Sequence, residues 1–355
     1  MFKSFLNILI ERTWYSKNLI CFLLLPLSWI YIFFFRLGSI YYNIFKTNII
    51  YRKTYAPTIV VGNIVVGGTG KTPLVIWLAR YYKKKGYSPG IITRGYKGLY
   101  SEHPRHIGLD CINTFLITPD TDPELAGDEA VLIANNTNCP VLVAINRQVA
   151  AKRIVEEYRC NLVISDDGLQ HHSLARNIEI AVIDGQRRLG NGYCIPAGPL
   201  REPKNRLDSV DLVVSKYSAK ECEYKMDYIY NELVSLSNPK DKMPITNLET
   251  KKIHAVAGIA NPHHFFSFLR SQSYELLIHK YPDHYKFNHA RDIEFNDDLP
   301  VIMTEKDAVK CKRHLGFGRQ LEHVSKKYWY LPISVKLPES FSSNLNQLLE
   351  KNYNE

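Results

Sequence analysis

The chain has 355 residues, 45% of them apolar and 23% charged, and a formal net charge of +10. That balance excludes a disordered or fibrous protein, and the length is enough to bury two cores. Seven scattered cysteines without a CxxC pair exclude a disulfide framework and a thiolate zinc site, and fit a reducing compartment.

Residues 1–53 carry seven basic side chains (Lys3, Arg12, Lys17, Arg36, Lys46, Arg52, Lys53) against one acid, Glu11. Within them, residues 19–35 (LICFLLLPLSWIYIFFF) form the most apolar stretch of the chain, interrupted by Pro26 and Ser28. It lies at the short end of the roughly 17–25 residues that cross a bilayer. Positive charge on both flanks sets no orientation, and no A-x-A-like cleavage site follows. Three readings are open: a helix or helical hairpin in the cytoplasmic leaflet, a single span, or a buried core helix. The first is preferred, with Trp14, Trp29, Tyr41 and Tyr42 as interfacial anchors, because basic residues beside apolar surface suit anionic lipid headgroups. Nucleic acid is not an expected partner, since no zinc-finger, RNP or basic-zipper pattern accompanies the charge.

Strand-like runs and helix candidates then alternate. Strands are expected at 58–61, 90–93, 140–145, 162–165, 179–183 and 211–215, with helices at 73–85, 128–135 and 149–158. This rhythm predicts a doubly wound, mainly parallel α/β sheet over 54–240. Residues 216–250 are polar and weakly patterned, with 240–244 read as a linker. A second, smaller α/β lobe is expected over 241–355, with strands at 253–258, 275–279, 300–304 and 329–333 and helices at 262–270 and from Glu305.

The first strand runs into Val65-Val66-Gly67-Gly68-Thr69-Gly70-Lys71-Thr72 and then a helix. Strand, glycine-rich loop and helix are what a phosphate-binding loop requires. Its glycines let backbone N–H groups turn toward phosphate oxygens, and the helix N-terminus adds positive dipole. Lys71 is placed to reach β- and γ-phosphates and the Thr72 hydroxyl to ligate Mg²⁺, so the loop implies ATP or a related triphosphate. Val65 stands where the full pattern has glycine. The double-glycine form resembles the deviant loops of some ATPases, but their signature lysine would fall at position 66, which is valine.

A nucleotide site of this kind needs a second carboxylate at the end of an apolar strand to hold the metal ion. Asp166 and Asp167, after Leu162-Val163-Ile164-Ser165, meet that requirement, although Asp-Asp-Gly is also an ordinary turn. Asp128, in Gly127-Asp128-Glu129, is equally a helix cap or a general base. His284, in Tyr281-Pro282-Asp283-His284-Tyr285, is either a surface side chain or a partner that tunes Asp128 across a cleft. Arg94 (Thr93-Arg94-Gly95-Tyr96) and Arg201 (Pro199-Leu200-Arg201-Glu202-Pro203) are solvated surface residues or phosphate clamps. Thr304-Glu305-Lys306-Asp307-Ala308 reads as a strand-to-helix junction with a capping threonine. The adjacent pairs His171-His172 and His263-His264 point apart on any regular element, which disfavours shared metal ligation.

Taken together, VGNIVVGGTGKTP, TRGY, GDEAVLIA, DDGLQHH, PAGPLREP, YPDHY and MTEKDAVKC resemble the tetraacyldisaccharide 4'-kinase family of lipid A biosynthesis, in that order and over nearly the whole chain. The family also uses a double-glycine loop after a non-glycine residue, as at Val65. The resemblance implies transfer of the ATP γ-phosphoryl group to the 4'-hydroxyl of a tetraacylated disaccharide 1-phosphate, giving lipid IVA. It implies a peripheral or monotopic enzyme on the cytoplasmic face of an inner membrane, with no obligate protein partner. Carried over residue by residue, it implies ATP binding by residues 65–72, Asp128 as catalytic carboxylate with His284 as its partner, and an Mg²⁺-linked pair at Asp166 and Asp167. Arg94, Gln170, His171, Arg201 and Glu202 fall in motifs near the reacting groups. Leu169 departs from a common phenylalanine, and residues 216–250 match nothing in the family pattern.

Overall fold

A computed structural model describes residues 10, 12–45, 55–102, 114–230, 232–287, 289, 292–314 and 327–353. Lys3, Lys46, Arg52 and Lys53 and the side chains of Tyr41 and Tyr42 lie outside the described residues.

The apolar N-terminal stretch is helix α1 (Leu19–Phe45), which continues through Pro26. The first sheet takes β1 (Thr58–Gly62), β2 (Pro89–Thr93), β3 (Phe115–Ile117), β4 (Val141–Val143), β5 (Leu162–Asp166), β6 (Ile178–Asp184), β7 (Leu212–Lys216) and β8 (Tyr224–Tyr230). Between them come α2 (Lys71–Lys84), α3 (Leu99–Glu102), α4 (Pro123–Ala126), α5 (Asp128–Thr137) and α6 (Arg147–Glu156). The second sheet takes β9 (Glu232–Ser235), β10 (Lys242–Pro244), β11 (Lys252–Ala257), β12 (Glu275–Lys280), β13 (Val301–Thr304) and β14 (Tyr328–Leu331), with α7 (His263–Ser271) and α8 (Glu305–His314). Finally β15 (Ile333–Lys336) and α9 (Glu339–Tyr353) return to the first sheet.

The first sheet is ordered β15-β8-β7-β6-β1-β5-β2-β4-β3, parallel except for β3 and β15 at its edges. Its central strands β1, β2 and β5 are buried at every position, and β6 at every position but Glu179, because both faces are covered. On β1, Ile59 and Val61 pack with Leu74 of α2, Val131 of α5 and Phe341 of α9, while Val60 packs with Ala150 and Ile154 of α6 on the other face. The smaller sheet, β10-β9-β14-β13-β11-β12, is covered by α7 on one side and α8 on the other.

The chain crosses between sheets twice, between β8 and β9 and again between β14 and β15. The lobe division expected at 240/241 is therefore corrected: β9 already belongs to the second sheet, and β15 with α9 belongs to the first. Residues 216–250 are also not a weakly structured link. They hold β8, β9 and β10, and the expected linker at 240–244 contains edge strand β10. β8 buries only Met226 outright and has no continuous apolar run, which masked it as a strand.

β1 sits between β5 and β6, with chain connections leaving to opposite faces, so its carboxyl end opens on the crevice where such sheets bind ligands. Across that crevice stand the carboxyl ends of β11 and β13, and α5 packs against α8 between the lobes.

Candidate active site

The loop after β1 is braced before any ligand enters. The buried Asn63 side chain donates to Val65 O at 2.6 Å and Gly67 O at 3.3 Å, and the Val66 amide donates to Pro199 O at 2.8 Å. Gly70 caps α2 in the left-handed region, φ 98°, and its side-chain position would lie 2.5 Å from the Tyr228 hydroxyl, so only glycine fits. No side chain caps α2, leaving its first backbone donors for a ligand. The Thr69 hydroxyl is buried without a protein partner beside them.

At the end of β5, Asp166 is buried and its Oδ1 has no partner, while Oδ2 accepts from Thr93 at 3.4 Å. Burial, with Glu129 and Asp167 nearby, pushes the Asp166 carboxyl up to about 7 against the pull of Lys71 and Arg147. Asp167 lies in the left-handed region at φ 50°, a strained position for a non-glycine residue. It pairs with Lys71 at 3.3 Å and Arg201 at 3.2 Å, and these cations hold its carboxyl below the usual range despite burial. Behind the pair, Arg147 is fully buried and donates to Asp166 O at 3.0 Å, with two of its nitrogens unpartnered. Its burial lowers the guanidinium to about 10.

Asp128 opens α5. Gly127 before it has φ 89°, and a side chain there would meet Tyr96 O at 2.7 Å. The Asp128 carboxylate does not cap its helix. It faces the second lobe, where His284 Nδ1 lies 3.0 Å from its Oδ2 and Lys310 Nζ 4.0 Å away. Burial raises the Asp128 carboxyl, but the His284 hydrogen bond and the ammoniums of Lys306 and Lys310 outweigh it and hold the group at about 2. His284 is itself left-handed, φ 63°, with its ring edge-on to Tyr96. Lys306 spans to Glu129 at 3.1 Å and approaches Asp283 at 3.8 Å. Burial works against its ammonium, yet Glu129, Asp283 and Asp128 hold it above the ordinary lysine range.

The structure thus brings Asp128 and His284 together and gathers Lys71, Asp166, Asp167, Gln170 and Arg201 around the loop. Gln170 donates to Asn63 O at 3.0 Å and Glu202 at 2.6 Å. Glu202 is sealed from solvent between Gln170 and Arg206, and it holds Gln170, whose Oε1 accepts from Arg201 at 3.5 Å. Arg94 is exposed at the end of β2, as its strand-end position implied. His171 is half-buried, and burial together with Arg147 and Arg94 lowers its imidazole to about 4, so it is neutral at pH 7. Asn63, Glu129, Arg147, Lys306 and Lys310 were not singled out from sequence. For the two lysines the signal was present: four residues apart on α8, they share the face turned to Asp128 and Glu129. The junction reading of Thr304 and Asp307 stands beside this, since Thr304 Oγ1 donates to Asp307 at 2.6 Å and the Asp307 amide donates back at 3.3 Å.

A parallel sheet with a phosphate-binding loop at its switch point, facing a carboxylate–imidazole pair across a cation-lined cleft, defines a P-loop phosphotransferase. The LpxK family model, tetraacyldisaccharide-1-P 4'-kinase, matches residues 20–350. The chain is similar to the tetraacyldisaccharide 4'-kinase of Nitrosococcus oceani, 44% identical over 97% of this chain and 95% of the relative. It is 40% identical to that of Hahella chejuensis over 96% of both. A crystal structure of LpxK from Aquifex aeolicus in complex with ATP shares the fold, with a TM-score of 0.72 over 93% of this chain and 100% of that one at 23% identity. The chain belongs to the tetraacyldisaccharide-1-P 4'-kinase family.

Proposed function

We propose that this chain transfers the γ-phosphoryl group of ATP to the 4'-hydroxyl of a tetraacylated disaccharide 1-phosphate at a membrane surface, forming lipid IVA. The observation that carries this reading is the Asp128–His284 pair, 3.0 Å apart across the cleft from the phosphate-binding loop. The relatives' names supply the substrate class, and the ATP complex of the Aquifex protein supports the donor.

Lys71 neutralises phosphate charge, and Arg201, with its planar fork, is the second cation released from Asp167 for that task. Asp128 is ionised at neutral pH and accepts the hydrogen of the acceptor hydroxyl, while His284 fixes the carboxylate's direction. A weakly basic carboxylate suffices because a loose phosphoryl-transfer transition state asks little of the nucleophile until late. Lys306 and Lys310 add positive charge from the second lobe. Thr72, Asp166 and Asp167 would hold Mg²⁺. The fit rests on the unpartnered, buried Asp166 Oδ1 and on an all-oxygen donor set. Among the described residues no three His, Cys, Asp or Glu side chains form a metal cage, which suits an ion held by one or two carboxylates and substrate phosphates. Bound there, Mg²⁺ supplies charge neutralisation at the transferring phosphoryl group.

Helix α1 explains how such a cleft meets an acylated acceptor. Cys21 and Ser28 are sealed against the first lobe, whereas Leu23 and Phe34 are 70% and 65% exposed. A helix fixed to the lobe along one face lies in the plane of the cytoplasmic leaflet rather than across it. Trp29, 65% exposed, is the side chain on this helix to which we assign anchoring. Trp14 is corrected: its indole N–H donates to Pro196 O at 3.0 Å, so it ties the segment to the lobe.

The test is transfer from γ-labelled ATP to purified disaccharide 1-phosphate in detergent, with and without Mg²⁺. Labelled bis-phosphorylated lipid, absent for Lys71→Ala, is the expected result. ATP turnover without labelled lipid would replace the kinase by a switch ATPase acting on a protein partner.

A further inference from the structure

We propose that Tyr31 and Ser28 of α1 are positioning residues for phosphoryl transfer, which makes the lipid-facing helix part of the catalytic frame as well as an anchor. The inference rests on the kinase reading above. Arg201 is clamped through both of its backbone polar groups. Its amide donates to Ile64 O at 2.7 Å, at the root of the phosphate-binding loop, and its carbonyl accepts from the Tyr31 hydroxyl at 2.8 Å. One turn earlier the buried Ser28 hydroxyl donates to Cys194 O at 2.8 Å and accepts from the Ala197 amide at 3.0 Å. In the same segment the Pro199 carbonyl accepts from the Val66 amide of the loop at 2.8 Å. Helix, 194–201 segment and phosphate-binding loop are therefore joined by consecutive hydrogen bonds, and the Arg201 guanidinium, 3.2 Å from Asp167, projects from the middle of them.

The two ends of this frame face different things. The outer face of α1 is apolar and exposed, and its inner face holds two hydroxyls bonded to the segment that carries Arg201, with Ser28 also reaching Leu24 O of its own helix at 3.4 Å. A helix serving only to hold the protein on lipid has no need of such bonds, since apolar contact alone would dock it. Hydrogen bonds fix direction as well as proximity. Through these bonds the position of α1 sets the position of the Arg201 backbone.

Tyr31→Phe keeps the ring and removes one hydrogen bond to the 194–201 segment, and Ser28→Ala removes two to that segment from a buried site. Wild type and variants are compared for kcat, for KM of the lipid acceptor in detergent micelles, for co-sedimentation with anionic vesicles and for thermal midpoint. The expected result is kcat lowered about threefold to tenfold for each variant, the scale of one lost hydrogen bond, with lipid KM and vesicle binding unchanged. In an Arg201→Lys background, Tyr31→Phe is expected to add no further loss, because the path ends at Arg201. Unchanged kcat in both variants, a rise in lipid KM alone, or full additivity with Arg201→Lys would each overturn the proposal. A wild-type enzyme that labels no lipid would instead overturn the kinase reading on which it rests.

Discussion

Asp128→Asn keeps the shape of the side chain and removes its charge. Transfer to the lipid should fall about 10²–10⁴-fold, the range for a positioned proton acceptor, equivalent to about 3–5 kcal/mol of barrier. ATP affinity should stay within about threefold of wild type, because a catalytic base acts on the acceptor rather than on bound ATP. Stability should fall as well. The carboxyl is held at about 2 against an ordinary 3.8, so its ionised form gains about 2 kcal/mol from His284, Lys306 and Lys310 at neutral pH. For a chain of this size that is about 2–4 °C in thermal midpoint. The sign follows from the depressed value: the contribution is complete above pH 4 and is lost as pH falls from about 4 toward 2. The midpoint gap between wild type and variant should therefore be largest near neutrality and close near pH 2. Labelled transfer, titration calorimetry with ATP, and melting curves at several pH values measure the three effects. Turnover within tenfold of wild type, or ATP affinity falling in parallel with turnover, would refute Asp128 as the base.

Four further outcomes follow from the same geometry. Lys71→Ala should abolish transfer and weaken ATP binding by about tenfold or more, since Lys71 is the loop's own cation; unchanged binding in a calorimetric titration would remove it from the phosphate site. Lys306→Met leaves Glu129 without its 3.1 Å partner and should lower kcat/KM by about tenfold or more, whereas wild-type kinetics would make the bridge incidental. Chelation of divalent ions should stop transfer and Asp166→Asn should raise the Mg²⁺ needed for half-maximal rate; an unshifted Mg²⁺ dependence would take Asp166 out of the metal site. Leu23→Glu with Phe34→Glu should reduce vesicle co-sedimentation, and undiminished binding would show that lipid contact lies elsewhere.

Most of the alternation of strands and helices over 58–215 was legible because both faces of the central sheet are covered, so its strands are largely apolar runs bounded by turns, whereas the three-residue edge strand β3 was not. The phosphate-binding loop was legible because its chemistry is local: glycines, lysine and threonine act within eight consecutive residues. β8 to β10 were not legible, since edge and half-buried strands carry weaker patterns, and neither was the return of β15 to the first sheet. Trp14 misled for a related reason, because an indole beside an apolar run is the same sequence signal whether its N–H meets lipid headgroups or a loop far along the chain.

What the sequence by itself determined is therefore the class of the first lobe, the nucleotide chemistry of its loop, and the identities of Asp128 and His284 as candidates. Only the tertiary structure decided that these two meet, that Lys306 and Lys310 reach them from α8, and that Arg201 is held between α1 and the loop. The physical reason is separation. A motif's spacing constrains neighbours a few residues apart, whereas these contacts join side chains about a hundred or more residues apart, and it is the packing of two sheets and one docked helix that brings them within hydrogen-bonding distance.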